Sequence, residues 1–125
     1  MTSEIRRIQP ADLVRDPLQT PGMTRFAAVA RDGLWSGFVR AQPSMASGWH
    51  HHGDYDTVIY VLEGAVRFEF GPGGGQSVEG TTGDFLHVPG GLIHRESNPT
   101  QREALLVITR AGSGVPVTNV AGPED

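Results

Sequence analysis

The chain has 125 residues, the size of one domain and too short for two independent cores. It contains no cysteine, so thiol catalysis, disulfides, iron-sulfur clusters and cysteine zinc sites are excluded. Lysine is also absent, which excludes a lysine Schiff base and a P-loop lysine. The net charge is -4, so nothing in the charge balance favours nucleic acid or an anionic membrane surface as a partner.

The N-terminal segment 1-22 is predicted to form an irregular arm on the outside of the core. It contains Pro10, Pro17 and Pro21, and only one short helical turn is expected, around 11-14. No apolar segment follows the first charged residues, so no signal peptide is recognised and a cytoplasmic protein is expected. No apolar run approaches the roughly 20 residues that a membrane span requires.

Residues 23-120 are predicted to form one barrel of short strands, followed by a C-terminal tail over 121-125. The 17 glycines and 9 prolines favour many turns over long helices. Several segments have strand length and end at turn residues: 25-30, 34-41, 57-63, 65-70, 84-88, 104-110 and 115-120. Because no segment has helical periodicity, these strands predict an antiparallel sandwich or barrel.

The histidines are the residues that most clearly indicate a chemical function. In a strand, residues two apart point to one face, so His50 and His52 project together while His51 points away. His94 follows a separate turn and is the candidate for a third ligand. A His-x-His pair is also common on solvated surfaces, and a lone histidine is often a structural hydrogen-bonding group, so the spacing alone leaves both interpretations open.

A longer pattern surrounds His94. The spacing Gly83-x5-Pro89-x-Gly91-x2-His94-x3-Asn98 resembles, in full, the second signature of the cupin superfamily. It would arise by chance in roughly one of ten thousand sequences of this composition. The resemblance implies a small single-domain cupin: an all-β fold, built as an antiparallel double-stranded β-helix or jelly-roll barrel, with a metal ion held inside.

The first cupin signature is matched less completely. His50, His52 and Gly64 occupy their expected places, but Ser44 stands where the signature begins with glycine. Thr57 stands where the family has its glutamate ligand, and threonine is a poor neutral ligand. The resemblance therefore implies either a site of three histidines or a carboxylate supplied by a neighbouring residue.

The implied metal ligands are His50, His52 and His94. Asp56 is the alternative carboxylate, because a shorter form of the motif has its acidic position at this residue. Regular strand alternation points Asp56 away from the histidines, so a bulge would be needed to turn it inward. Another five residues are expected to line the pocket or to support the ligands: Tyr55, Thr57, Tyr60, Phe85 and His87.

Three neutral imidazoles would leave a divalent ion with open positions, and iron, manganese, nickel, copper and zinc all accept such ligands. We therefore predict a metal-dependent enzyme with dioxygenase-like oxidoreductase activity, acting with O2 on a small enol, diketone or phenolic compound. The alternatives are a non-catalytic sensor or small-molecule-binding cupin, and a cupin isomerase or lyase. A homodimer is expected, because an edge strand within 23-41 would otherwise stay unpaired.

Overall fold

A computed structural model describes residues 4-17 and 19-123. This part of the chain forms short strands and two single turns of 3-10 helix, at Pro10–Asp12 and Pro72–Gly74. The strands are β1 (Val14–Arg15), β2 (Met23–Arg31), β3 (Leu34–Ala41), β4 (His50–His51), β5 (Asp56–Glu63), β6 (Ala65–Phe70), β7 (Gln76–Thr81), β8 (Phe85–Val88), β9 (His94–Ser97), β10 (Ala104–Ala111) and β11 (Thr118–Asn119).

The strands form two antiparallel sheets. The larger sheet has the order β1-β2-β3-β10-β5-β8, and the smaller has the order β11-β4-β9-β6-β7. Neighbours in each sheet are mostly distant in sequence, as in a jelly roll, so the predicted all-β fold is confirmed. No helix among the described residues is long and apolar enough to cross a membrane.

The core lies between the two sheets and follows strand alternation. On β10 the buried residues Ala104, Leu106, Ile108 and Arg110 alternate with more exposed ones. Alternation gives each strand one core face, which removes apolar area from water without burying the polar residues of the other face. Arg110 is the exception in this row, since it places a charged group on the core face.

Four short strands were not among the predicted segments: β1, β4, β7 and β9. Strand β1 lies inside the expected irregular arm and pairs Val14 with Ala27. Strand β7 is mostly exposed, and β9 has the polar sequence His-Arg-Glu-Ser, so neither has the apolar alternation that marks a strand. Strand β1 lies at the edge of the larger sheet and the other three belong to the smaller sheet, and all four form because neighbouring strands satisfy their backbone groups.

Two positions explain why the motif residues occur where they do. Gly64 has φ 90°, and a Cβ there would lie 3.0 Å from the Cα of Ala104 on β10. Asn98 is 1% exposed, and its amide nitrogen donates to the carbonyls of Ala41 and Arg102 at 3.1 and 2.7 Å. Its Oδ1 accepts from the backbone N–H of Thr100 at 3.0 Å, so Asn98 ties the turn after β9 to the end of β3.

Candidate metal centre

Three buried histidines meet between the sheets. His50 begins β4, His52 follows that strand directly, and His94 begins β9. Their exposed fractions are 6%, 4% and 1%, and one ligand nitrogen from each lies within 4.8 Å of the other two. The predicted histidine set is therefore brought together by the fold.

The backbone orients all three rings in the same way. The Nδ1 atom of His50 lies 2.9 Å from the carbonyl of Gly48, and that of His94 lies 2.9 Å from the carbonyl of Leu92. The Nδ1 atom of His52 lies 2.8 Å from the carbonyl of Pro116. A carbonyl only accepts, so each Nδ1 carries the proton and each Nε2 keeps a free lone pair.

The free nitrogens fit a metal ion. Nε2 of His94 is fully buried and has no hydrogen-bond partner. A buried polar atom without a partner is costly, and a bound cation would satisfy it. A cluster of imidazoles suits iron, manganese, nickel, copper or zinc, and the donor set does not select among these metals.

The surroundings of His52 and His94 favour the neutral form of both imidazoles. Burial, and then the charge of Arg110, lower the pKa of His52 to about 2. Burial is also the main cause that lowers the pKa of His94. Neutral imidazole is the form that binds a metal, so these histidines need no deprotonation at neutral pH.

Asp56 and Thr57 occupy opposite faces of β5. Asp56 is exposed, and its Oδ1 lies 3.1 Å from Nε2 of His87 and 3.2 Å from the backbone N–H of Gly90. The strand pairs regularly with β8 here, so the bulge needed to turn Asp56 toward the histidines does not form. Thr57 is 2% exposed on the core face, and its hydroxyl has no hydrogen-bond partner.

The remaining predicted residues lie around the site and outside the histidine cluster. Tyr60 and Phe85 contact each other with tilted rings whose centroids are 4.8 Å apart, and Phe85 is 71% exposed. His87 is exposed beside Asp56. Tyr55 borders a second, more polar cavity, which is described below.

His94 lines a cavity of about 300 Å³. Its walls come from β6, β7, β8 and the turn before β9, and they are mainly apolar: Phe68, Phe70, Val78, Phe85, Leu86, His87, Val88, Pro89, Leu92 and His94. A concave, mainly apolar space with a few polar groups is typical of a site for a small organic molecule.

Two charged residues of the site were missed in the sequence. Glu96 is 5% exposed, and its Oε1 lies 3.8 Å from Nε2 of His50. Arg110 is 7% exposed and faces the core from β10. A signal existed for both, because Glu96 lies two residues after His94 and Arg110 two residues after the buried Ile108, so alternation places each on the inner face.

The fold and the histidine cluster define a small β-barrel protein with a candidate trihistidine metal centre. The profile of the family described as "Cupin domain" matches residues 37-109, more than half of the chain. The chain therefore belongs to the cupin domain family.

Solved structures support the same fold. The polyketide cyclase RemF from Streptomyces resistomycificus is similar, with a TM-score of 0.75 and 21% identity over 94% of this chain and 86% of that chain. An uncharacterized protein with a double-stranded β-helix domain from Klebsiella pneumoniae has a TM-score of 0.72 and 17% identity, covering 94% and 98%. Oxalate decarboxylase from Bacillus subtilis, studied for its Mn(II) centres, has a TM-score of 0.69 and 17% identity, covering 84% and 30%. No curated protein sequence matches at a significant level.

Proposed function

We propose that this protein is a metal-dependent enzyme that oxidises a small enol, diketone or phenolic compound with O2. The observation that carries the proposal is the convergence of three buried histidine donors, one of which, His94, lines an apolar cavity. Only these three histidines form the convergent group among the described residues, which leaves positions on an ion for exogenous ligands. A closed structural site would have a fourth protein ligand.

Different residues of the chain bind the metal ion and the substrate. His50, His52 and His94 would hold a divalent ion through Nε2, while the carbonyls bonded to Nδ1 keep the rings in place. When bound, such an ion supplies Lewis acidity toward a substrate oxygen and a place for O2. The apolar walls next to His94 hold the body of the substrate and exclude water.

Glu96 is the candidate for moving a proton. Its carboxylate lies 3.8 Å from the ligand nitrogen of His50 and is almost fully buried. An enolisable substrate must lose a proton before it reacts, and a carboxylate within reach can accept it. In a dioxygenation both oxygen atoms enter the organic product, so no external reductant is needed.

The similar structures support a metal and a small organic substrate. One is a polyketide cyclase and another is an oxalate decarboxylase with Mn(II) centres. These likenesses favour metal chemistry on a small organic compound, but they do not favour oxidation over an isomerase, lyase or cyclase reaction. The oxygen requirement must therefore be tested directly.

The first test is the metal content of untagged protein, measured by elemental analysis. We expect near-stoichiometric transition metal in the wild type and in the control His87→Ala, because His87 is exposed and apart from the cluster. We expect loss of metal in His50→Ala, His52→Ala and His94→Ala. Full metal content in all three ligand variants would refute the site.

The second test is turnover of 1,3-diketones and phenols, followed with an oxygen electrode and with ¹⁸O2. Oxidation predicts equal consumption of O2 and substrate and incorporation of both labelled atoms. Substrate loss without O2 consumption would overturn oxidation in favour of an isomerase, lyase or cyclase. Metal-dependent binding without any product would favour the non-catalytic sensor.

A further inference from the structure

A second cavity, of about 470 Å³, lies between the N-terminal arm and the barrel. Asp16 borders it from the arm, Arg25 from β2, Trp35 from β3 and Arg110 from β10, and Tyr55 closes one side. The walls carry several charged and aromatic residues, whereas the walls of the cavity next to His94 are mainly apolar. We call this space the arginine cavity.

Arg110 is the unusual residue of this cavity. It is 7% exposed, yet its Nε has no hydrogen-bond partner. Two other arginines behave differently, since Arg40 pairs with Glu103 at 2.7 Å and Arg95 pairs with Glu69 at 2.9 Å. A buried guanidinium N–H without an acceptor is costly, and an anion that accepts from it would remove that cost.

The charges around Arg110 leave the cavity positive. Arg25 and Arg31 also border it, and Arg25 donates through Nη2 to the hydroxyl of Thr20 at 3.0 Å. Asp16 and Glu96 oppose these cations. Burial, and then the charge of Arg25, lower the pKa of Arg110 to about 10, so its guanidinium remains protonated at neutral pH.

The arginine cavity adjoins the histidine cluster. Arg110 is paired across the strands with Thr57, whose core-facing hydroxyl also has no partner. The charge of Arg110 contributes to the lowered pKa of both His52 and His94, so the guanidinium acts on the cluster from nearby. Three buried polar atoms without partners, on Thr57, His94 and Arg110, thus belong to neighbouring groups.

We propose that Arg110, with Arg25, binds the carboxylate of an organic acid in the arginine cavity. A guanidinium has a planar array of donors that matches a carboxylate, and binding in a desolvated place strengthens the pair. The guanidinium carbon of Arg110 lies 5.7 Å from the Trp35 ring centroid, and the rings of Trp35 and Tyr55 favour an acid with an apolar or aromatic body. Carboxylate binding in the arginine cavity does not depend on the proposed function, whose substrate lies in the separate apolar cavity next to His94.

The test is titration of benzoate into the purified protein at fixed ionic strength, followed by calorimetry and by tryptophan fluorescence. Benzamide has the same shape without the charge and serves as the ligand control. We expect benzoate to bind and benzamide not to bind. We expect about a tenfold or greater loss of benzoate affinity in Arg110→Gln, because a hydrogen-bonded charge is removed.

Arg40→Gln is the matched control variant, since Arg40 is an exposed arginine on the neighbouring strand, and its affinity for benzoate should equal that of the wild type. Arg25→Gln is a second variant that should also weaken benzoate binding and keeps the test informative if Arg110→Gln fails to fold. Equal benzoate affinity in the wild type and in the folded variants of the cavity, or equal binding of benzamide, would overturn the inference.

The His50→Ala/His52→Ala double variant separates the two proposals. Benzoate binding that persists in this metal-deficient protein supports the carboxylate subsite by itself. If the wild type contains metal but binds no benzoate, the carboxylate subsite is refuted and the proposed metal centre is still supported. A wild type that binds benzoate but takes up no metal refutes the proposed enzyme and supports the subsite.

Discussion

His50 and His94 lie directly opposite each other on β4 and β9, with their ring centroids 4.5 Å apart. Direct partners in an antiparallel pair point to the same face and bring their side chains close together. His52 lies two residues after His50 and therefore joins them from the same side. The register of one short strand pair thus assembles most of the candidate metal centre.

Replacing Thr57 with glutamate should strengthen metal binding. Thr57 is buried on the core face where the family has its glutamate ligand, and its hydroxyl has no partner. In Thr57→Glu the new carboxylate can add a charged oxygen donor, so we expect the dissociation constant for Zn²⁺ to fall by about tenfold or more. Competition with a chromogenic chelator measures this constant.

The control for that variant is Thr57→Gln, which adds the same bulk without a charge. We expect its zinc affinity to remain close to that of the wild type, because an amide is a weaker donor for zinc than a carboxylate. Equal affinities of Thr57→Glu and Thr57→Gln would contradict the placement of this side chain at the ion.

The metal-free protein should lose stability in weak acid. His52 has a folded-state pKa lowered to about 2, and that of His94 is also lowered, whereas histidines in an unfolded chain titrate near about 6.5. Below about pH 6.5 the unfolded chain binds protons that the folded chain does not, so the free energy of unfolding falls as the pH falls. The limiting slope is about 1.4 kcal/mol per pH unit for each such histidine.

Urea denaturation between about pH 7.5 and about pH 5.5 measures this slope. His52→Gln should reduce it, because the variant has one titrating group fewer. Stability that is independent of pH in this range would argue against buried neutral histidines.

Glycine at position 44 should stabilise the fold. Ser44 is exposed and has φ 61°, a left-handed conformation, at the place where the first cupin signature begins with glycine. Glycine adopts this conformation without the steric cost that a side chain incurs, so Ser44→Gly should raise the free energy of unfolding by about 0.5 to 1 kcal/mol. Ser44→Ala keeps the side-chain strain and should show no such gain in the same urea titration.

The homodimer remains a prediction that solution mass can check. Strand β1 covers β2 only at Ala27 and Phe26, so the outer edge of β2 beyond Ala27 has no strand partner among the described residues. An unpaired edge favours pairing with a second copy. Light scattering should give twice the chain mass of 13.4 kDa, and a mass of one chain would show this prediction to be wrong.

Much of this architecture could be predicted from local patterns. The strands that carry Val39, Val61 and Leu106 have clear apolar segments, and the barrel prediction depended on them. Strands β7 and β9 could not be found in this way. Strand β7 is a mostly exposed edge strand with few apolar residues, and β9 consists of polar residues, two of which are buried at the site. Their formation depends on strands that arrive from elsewhere in the chain.

The sequence by itself determined the family and the three histidines, because motif spacing is local and turn glycines, alternation and ligand types are read over a few residues. Only the tertiary structure decided which charged groups surround those histidines. Glu96 reaches the cluster through the register of β9, and Arg110 through that of β10 against β5. Whether a charge is buried and whether it has a partner depend on contacts between distant segments, and these exist only after the two sheets have packed together.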